Sequence, residues 1–359
     1  MQHADILIIG GGLTGLSLNY FLKDENLDIV IVEARDRLGG RIHTVGNGHE
    51  APVEMGATWF GPAHTKLKSL LDELNIETFK QKLGEKAIYE PSSMSPHQLV
   101  QLPPNQESSF RVKGGTISLI RELSKFMNDD HLYLSCPVQK IEKKKERLIV
   151  TADLEIFDVE MVVSTLPPKL LSDSIQLKPL PSEELAETMA NTHTWMGESI
   201  KIGLTFSEPF WRADDLSGTI FSNVGPIPEL YDHSNFEEHK FALKGFLNGS
   251  YFSVSKEERK QMVLAQLRKY YGDKTDQFIH YHEMVWANER FTYAPYDRHV
   301  LPHQNNGHAM YQKPLWEGSF FIAGAETSET SPGYMDGAVH SAQSVADQIK
   351  KSFNHLQKK

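Results

Sequence analysis

The segment ADILIIGGGLTGLSLNYFL, residues 4–22, carries the strongest indication of the fold in this chain. Residues 6–9 form a short apolar run, which predicts a strand buried on both faces of a sheet. Glycines follow at once, and the apolar spacing of residues 16–21 predicts a helix. A second apolar run at 29–32 predicts another buried strand. Together these elements predict a βαβ unit with a glycine-rich turn between the first strand and the helix.

The glycine turn has the spacing of a dinucleotide-binding site. Gly10 permits the tight turn, Gly12 lets the backbone approach a pyrophosphate, and Gly15 lets the helix pack closely on the strand. The helix N-terminus offers free N–H groups to the phosphates. Glu33 ends the second strand 18 residues after Gly15, where a carboxylate accepts hydrogen bonds from ribose hydroxyls and repels a 2′-phosphate. The pattern therefore predicts a dinucleotide other than NADP.

Composition narrows the class of protein. A length of 359 residues predicts two or three domains, and a net charge of −10 argues against a nucleic-acid partner. The single cysteine, Cys136, excludes an intrachain disulfide. We expect a cytoplasmic protein with neither signal peptide nor membrane anchor, since the first strand starts near Met1 and no apolar run has membrane-spanning length. The 16 histidines are scattered, and no metal site is predicted.

The segment EARDRLGGRIHT, residues 33–44, closely resembles the second signature of the flavin amine oxidase family, a branch of the glutathione-reductase-like FAD proteins. The resemblance implies FAD rather than NAD as the dinucleotide. It also implies that the glycine pair Gly39 and Gly40 permits close backbone approach, and that Arg41 lies near the pyrophosphate and the flavin.

Further motifs extend the resemblance in chain order: VEMGATWFGP (53–62), VKGGTISLIREL (112–123), CPVQKI (136–141), VVSTLPP (162–168), FFIAGAET (320–327) and SPGYMDGAV (331–339). The last would place a helix N-terminus at the flavin, where it would stabilise negative charge on reduction. The FAD-binding residues implied by the turn and the resemblance are Gly10, Gly12, Leu13, Thr14, Gly15, Glu33, Ala34, Arg35, Gly39, Gly40, Arg41, Gly56, Ala57, Thr58, Trp59, Val138, Thr165, Trp286, Gly324, Glu326, Gly333, Tyr334 and Met335.

Three residues are the candidates for chemistry. By resemblance, Lys201 in GESIKIGLTFSEPFWR (197–212) sits behind the flavin and holds a water at N5. Its apolar strand predicts a lowered pKa, although an edge-strand lysine pointing to solvent is the alternative. Tyr334 and Tyr296 are similar to the pair of near-parallel rings that flank the amine's path, with Tyr296 ten residues after Trp286. Packing in the core or in a loop is the alternative for both tyrosines.

Two departures from the family pattern carry consequences. Pro295 stands where monoamine oxidases have the cysteine that links to the flavin, so we expect FAD to be bound non-covalently. Only residues 63–113 fill the interval that in the family holds a helical roof over the substrate. The flavin face is then open to a large substrate, covered by a partner or a second copy of the chain, or no longer used for catalysis.

The resemblance implies an α/β fold, with a glutathione-reductase-like, Rossmann-type FAD-binding domain and a smaller α+β substrate domain built on a mixed sheet. We predict that residues 1–79, 113–186 and 287–359 form the first, and residues 80–112 and 187–286 the second. The implied function is oxidation of a small-molecule amine to an imine, with dioxygen reoxidising the flavin. The alternatives are a related FAD desaturase or oxidase of a non-amine substrate, and an FAD-binding subunit that works with a partner protein.

Overall fold

The computed structural model describes residues 1–46, 48–103, 107–153 and 155–356. Its helices are α1 (Leu13–Phe21), α2 (Thr65–Glu73), α3 (Ile117–Ser124), α4 (Pro168–Ser174), α5 (Glu183–Ala190), α6 (Lys256–Tyr271) and α7 (Met335–Leu356). Its strands are β1 (Gln2–Ile9), β2 (Ile29–Val32), β3 (Thr44–Val45), β4 (Val53–Glu54), β5 (Thr78–Lys80), β6 (Lys86–Glu90), β7 (Gln98–Gln101), β8 (Phe110–Val112), β9 (Leu132–Tyr133), β10 (Val138–Lys144), β11 (Arg147–Ala152), β12 (Ile156–Ser164), β13 (Gln176–Lys178), β14 (Ile200–Phe206), β15 (Leu216–Ser222), β16 (Glu229–Asp232), β17 (Phe241–Leu247), β18 (His280–Val285) and β19 (Phe320–Ile322).

The predicted βαβ unit forms the centre of the first sheet. Its strand order is β13-β10-β11-β12-β1-β2-β9, with β19 paired to β12. Strand β1 is parallel to both β2 and β12, so the turn after β1 lies at the shared carboxyl edge of these strands. In open parallel sheets, ligands bind outside that edge. Strands β10, β11 and β12 are successively antiparallel and form a meander.

Helices α1, α2 and α7 cover one face of this sheet. The closing helix α7 buries one apolar face, whose residues join the same core as the strand residues Ile6 and Ile8 and the helix residue Leu16. They are Ala338, Ala342, Val345, Ala346 and Ile349. This core fixes the N-termini of α1 and α7 relative to the strand ends.

A second sheet has the order β18-β14-β17-β16-β15-β6-β7. It is mixed, since β15 pairs parallel with β6 whereas its other recorded pairs are antiparallel. All its strands come from residues 80–112 and 187–286, the intervals predicted to form the substrate domain. Those domain boundaries stay a prediction.

The interval 63–113 builds sheet edges instead of a helical roof. After α2, its described residues form β5 and β8, which pair with each other, and β6 and β7, which extend the second sheet. Residues 104–106 of this interval lie outside the described residues.

Candidate active site

A cavity of about 620 Å³ runs from the carboxyl edge of the first sheet to the face of the second. That volume is typical of a cofactor or ligand site. The predicted residues that line it are Gly10, Gly12, Leu13, Thr14, Glu33, Ala34, Arg35, Gly39, Gly40, Arg41, Gly56, Ala57, Thr58, Trp59, Val138, Thr165, Lys201, Trp286, Gly333, Tyr334 and Met335. Gly15, Gly324, Glu326 and Tyr296 are not among its lining residues.

The glycine turn has the geometry that a pyrophosphate requires. Gly10 adopts φ +109°, which a residue with a side chain rarely adopts. A Cβ on Gly15 would lie 2.1 Å from the carbonyl oxygen of Gly10, so the helix packs on the turn only because Gly15 has no side chain. No side chain caps α1, which leaves its first N–H groups free for an anion.

Glu33 is held at the end of β2, next to the turn. It is 5% exposed, and its carboxylate accepts hydrogen bonds from the backbone N–H of Gly11 at 2.8 Å and of Arg35 at 2.9 Å. Each carboxylate oxygen keeps a lone pair for a further donor. This arrangement suits a ribose diol.

We therefore expect Glu33→Ala to weaken FAD binding ten- to a hundredfold, because hydrogen bonds to a charged group contribute about 1.5–3 kcal/mol each. Titration of the apoprotein with FAD measures the dissociation constant. Asp36→Ala is the matched control, since Asp36 is an exposed carboxylate on the same segment and does not line the cavity. Equal affinities for the two variants would contradict the role of Glu33.

The LGGR segment lies against the glycine turn, and Arg41 forms an ion pair behind it. Gly39 bridges to Gly12 and donates its N–H to the carbonyl oxygen of Gly11 at 2.8 Å. Arg41 donates to both carboxylate oxygens of Glu326, at 2.5 and 2.7 Å. Glu326 is fully buried, so it supports the lining residue Arg41 without lining the cavity itself.

The segment after β4, residues 55–59, contacts both Arg41 and Trp286, the residue that follows β18 of the second sheet. A Cβ on Gly56 would lie 2.0 Å from the carbonyl oxygen of Arg41, so only glycine allows this close approach. The indole N–H of Trp286 donates to the carbonyl oxygen of Met55 at 2.7 Å. Trp286 is therefore fixed beside the predicted flavin-contacting residues.

Lys201 points into the protein and not to solvent. It is 6% exposed, and its ammonium donates to the carbonyl oxygen of Gly56 at 2.5 Å. Burial lowers the pKa of Lys201 to about 8, and the nearby carboxylate of Glu54 opposes that shift. Near neutral pH it is thus a buried cation at the cavity wall that loses its proton in a mildly basic medium.

The two tyrosines lie in different surroundings. Tyr334 lines the cavity and is 40% exposed. The hydroxyl of Tyr296 instead donates to the carbonyl oxygen of Thr192 at 3.0 Å and accepts from the backbone N–H of Thr194 at 2.7 Å. The recorded ring neighbour of Tyr296 is Tyr293. The rings of Tyr296 and Tyr334 thus have different neighbours, and their pairing beside the flavin stays a prediction.

Trp195, which the sequence analysis did not select, is the ring beside Tyr334. The two ring centroids are 5.5 Å apart, and the ring of His303 stacks on Trp195 at 3.9 Å and faces Tyr334 at 6.0 Å. His64 packs on Tyr334 from another side at 5.6 Å. We call these four residues the aromatic rim. The one local signal for it was the motif WMG, just before the lysine strand.

Two residues of the rim, Trp195 and Tyr334, line the cavity, and His303 and His64 pack on them without lining it. None of the described residues from 60 to 135 lines the cavity. This range includes residues 63–113, the interval where the family's roof would lie. Trp195 and Met196 line the cavity instead, from the turn that precedes β14. At this cavity the chain therefore presents a short aromatic turn, and the described residues of the interval 63–113 take no part in the cavity wall.

The single cysteine of this chain lies in the cavity wall next to Glu33. Cys136 lines the cavity beside Val138, and its backbone N–H donates to the carbonyl oxygen of Glu33 at 2.9 Å. It is therefore at the end where Glu33 would hold a ribose. Since Pro295 occupies the family's attachment position, no thiol is available there for a thioether.

Within the described ranges, no group of histidine, cysteine, aspartate and glutamate side chains could hold a metal ion. No helix within those ranges is both long and apolar enough to cross a membrane.

Comparison with known proteins relates this geometry to a family. The family described as "Flavin containing amine oxidoreductase" matches residues 13–93 and 92–350. Amine oxidase [flavin-containing] B of Sus scrofa is 24% identical over 453 positions, covering 97% of this chain and 86% of that protein. A probable flavin-containing monoamine oxidase A of Dictyostelium discoideum is also 24% identical, covering 96% and 97%. Both alignments exceed the length of this chain, so the relatives contain residues that it lacks.

Solved structures share the fold. Putrescine oxidase bound to putrescine superposes with a TM-score of 0.83 at 23% identity, covering 97% of this chain and 99% of the other. Cyclohexylamine oxidase from Brevibacterium oxydans IH-35A superposes with a TM-score of 0.85 at 18% identity, covering 98% and 99%.

The cavity residues fit the cofactor that the family uses. The free N-terminus of α1, the tight turn at Gly10 and the oriented carboxylate of Glu33 suit the two halves of a dinucleotide. From these residues and from the match over most of its length, the chain belongs to the flavin-containing amine oxidoreductase family and is an oxidoreductase with FAD as its cofactor.

Proposed function

We propose that this chain is an FAD-dependent amine oxidase with a glutathione-reductase-like cofactor domain. An amine would lose a hydride from its α-carbon to the flavin and become an imine, which water hydrolyses to an aldehyde and ammonia. Dioxygen would take the two electrons and two protons to give hydrogen peroxide. The observation that carries the proposal is that Lys201, Trp286 and Tyr334 line one cavity with the segment 56–59.

The residues of this chain would bind and orient the amine without a dedicated base. Electron-rich ring faces attract a cation or a polarised nitrogen, so the aromatic rim suits an amine on its way into the cavity. The backbone of segment 56–58 and Lys201 would hold the cofactor ring and a water beside it. Flavin supplies the redox chemistry, and the protein supplies position and charge.

The open rim favours amines that extend beyond the cavity. Tyr334 is 40% exposed, and the rings of Trp195, His303 and His64 are each half-buried. A substrate can thus stack on the rim while its amine reaches inward. We propose that bulky or aryl-substituted amines are preferred over small alkylamines.

A panel of primary, secondary and polyamine substrates tests the proposed function. Under anaerobic conditions the oxidation of an amine bleaches the flavin, and in air a peroxide-coupled assay reports turnover. FAD-loaded protein that stays yellow with every amine would overturn the proposal. If only a conjugated non-amine compound bleached the flavin, the chain would be a desaturase. If amines bleached the flavin only after a partner protein was added, the chain would be an FAD-binding subunit that works with that partner.

Trp195→Ala is expected to raise KM for an arylalkylamine about tenfold and to change kcat less. The reason is that an aromatic pair contributes about 0.5–1.5 kcal/mol beyond its buried area. Steady-state kinetics by the peroxide assay measures both constants. Trp316→Ala is the control, because Trp316 stacks on Phe320 at the first sheet, away from the rim. Unchanged KM in the first variant would remove the rim from substrate binding.

A further inference from the structure

A second buried lysine, Lys244, lies beside Lys201. It is on β17, where its Cα pairs with that of Gly203 on β14. Side chains two residues apart on a strand share a face, so Gly203 and Lys201 point the same way and Lys244 is their neighbour on the adjacent strand. Both ammonium groups lie 5.3 Å from the ring of Phe246. Lys244 is fully buried.

A chain of hydrogen bonds joins the two lysines through the cavity wall. The Nζ of Lys244 donates to the hydroxyl of Thr58 at 2.5 Å, and that hydroxyl donates to the carbonyl oxygen of Gly56 at 3.2 Å. The same carbonyl accepts from Lys201. Lys244 also lies 3.9 Å from the centroid of the Trp59 ring. Thr58 and Trp59 line the cavity, so one side chain separates Lys244 from the cavity in which the cofactor would lie.

The surroundings of Lys244 disfavour a positive charge on its side chain. Burial lowers the pKa of Lys244 well below its ordinary value, and the charge of Lys201 lowers it further. The carboxylate of Glu54 acts in the opposite direction, yet it already accepts hydrogen bonds from Thr116 and Thr44. The ionisable groups that face Lys244 from the packed elements are Glu54, Arg111, Lys201, Glu229 and His233.

We propose that Lys244 is a proton acceptor for the reduced cofactor. Beside the oxidised cofactor it is neutral, because its burial next to the cations Lys201 and Arg111 disfavours a further positive charge. When the cofactor takes up two electrons and gains negative charge, Lys244 takes up one proton from solvent in the cavity and balances that charge. Lys244 acts through Thr58 and through its field, since it does not line the cavity.

The hydroxyl of Thr58 provides the route for this proton. Thr58 lines the cavity, and its hydroxyl is bonded to Lys244. A hydroxyl both donates and accepts, so a proton from cavity water can pass to Nζ of Lys244 while Thr58 regains its own. One proton leaves solvent and one N–H bond forms, and the electrons go to the cofactor.

The pH dependence of the FAD midpoint potential tests the proposal without any amine. One proton coupled to two electrons changes the midpoint potential by about 30 mV per tenfold change in proton concentration. Over the pH range in which Lys244 titrates, we expect the midpoint potential of Lys244→Met to depend less steeply on pH. Its slope should be smaller than that of the unaltered protein by about 30 mV per pH unit. Lys201→Met should keep that slope but move its range to higher pH, because the repelling charge is gone.

Lys169→Met is the matched control, since Lys169 is a buried lysine paired with Asp173 outside the cluster, and its slope should equal that of the unaltered protein. An unchanged slope in Lys244→Met would overturn the proposal. Because the cofactor is reduced chemically, this outcome is independent of whether amines are substrates.

The apoprotein offers a second measurement if Lys244→Met does not retain FAD. An unfolded lysine keeps its proton to about pH 10.4, whereas folded Lys244 is neutral at lower pH. The unfolded state then binds more protons, and the free energy of unfolding rises with pH between the two pKa values. Lys244→Met should show a shallower rise in denaturant titrations. Identical pH dependence would also overturn the proposal.

Discussion

Replacement of Glu326 by glutamine is expected to weaken FAD binding about a hundredfold. Glu326 is fully buried and holds both terminal nitrogens of Arg41. It also accepts the backbone N–H of Trp195 at 3.1 Å. The neutral amide leaves Arg41 without its countercharge, and breaking a buried pair costs about 3–5 kcal/mol. The Arg41 side chain is 26% exposed, so we take the lower part of that range.

FAD titration of the apoprotein measures this loss, and thermal unfolding of the apoprotein shows how much of it is a general loss of stability. Glu317→Gln is the matched control. Glu317 pairs with Lys143 and is 87% exposed, and exposed pairs contribute about 0–1 kcal/mol. If the two variants bound FAD equally well, the Arg41–Glu326 pair would have no part in holding the cofactor segment.

Lys201→Met is expected to slow the reaction of the reduced protein with dioxygen at least tenfold. A cation at this position stabilises the negative charge that dioxygen acquires as it takes electrons, and one such group is worth about 10²–10³ in rate in well-formed sites. Methionine has a similar length and no charge. Stopped-flow mixing of the reduced protein with oxygenated buffer measures the rate constant.

The pH dependence of that rate constant identifies the group. Since burial lowers the pKa of Lys201 to about 8, its charge is present below this pH and is lost above it. The rate constant of the unaltered protein should therefore fall as pH rises through about 8, and that of Lys201→Met should be low and flat. A profile with the same inflexion in both proteins would assign the titration to another residue.

The cofactor and the family could be predicted from the sequence because the residues that indicate them are close together in the chain. Gly10, Gly12 and Gly15 are close in sequence, and the strand–turn–helix that contains them forms as predicted. Glu33 follows in the next strand, and adjacent parallel pairing brings it to the turn. The closing helix was predictable for the same reason, since its apolar face repeats at helical spacing.

The substrate end of the site depends on contacts between distant segments. Tyr296 was predicted from its spacing to Trp286, but its hydroxyl is held by the backbone of residues 192–194. Trp195 takes the place beside Tyr334 because its turn is held between Arg41 and Glu326. Spacing along one segment could not indicate which ring another segment would supply.

The motifs at residues 4–44 are enough to predict the βαβ unit, the FAD cofactor and the amine-oxidising family, because a contiguous motif and its local hydrogen bonds suffice for that. Which side chains surround the reacting end depends on contacts between segments that are far apart in the sequence. The register of β14 against β17 sets Lys244 beside Lys201, and the fold of residues 53–59 onto that face joins both lysines through Thr58 and Gly56. Strand register and burial set the charge of those lysines, and neither is encoded in any single stretch of the chain.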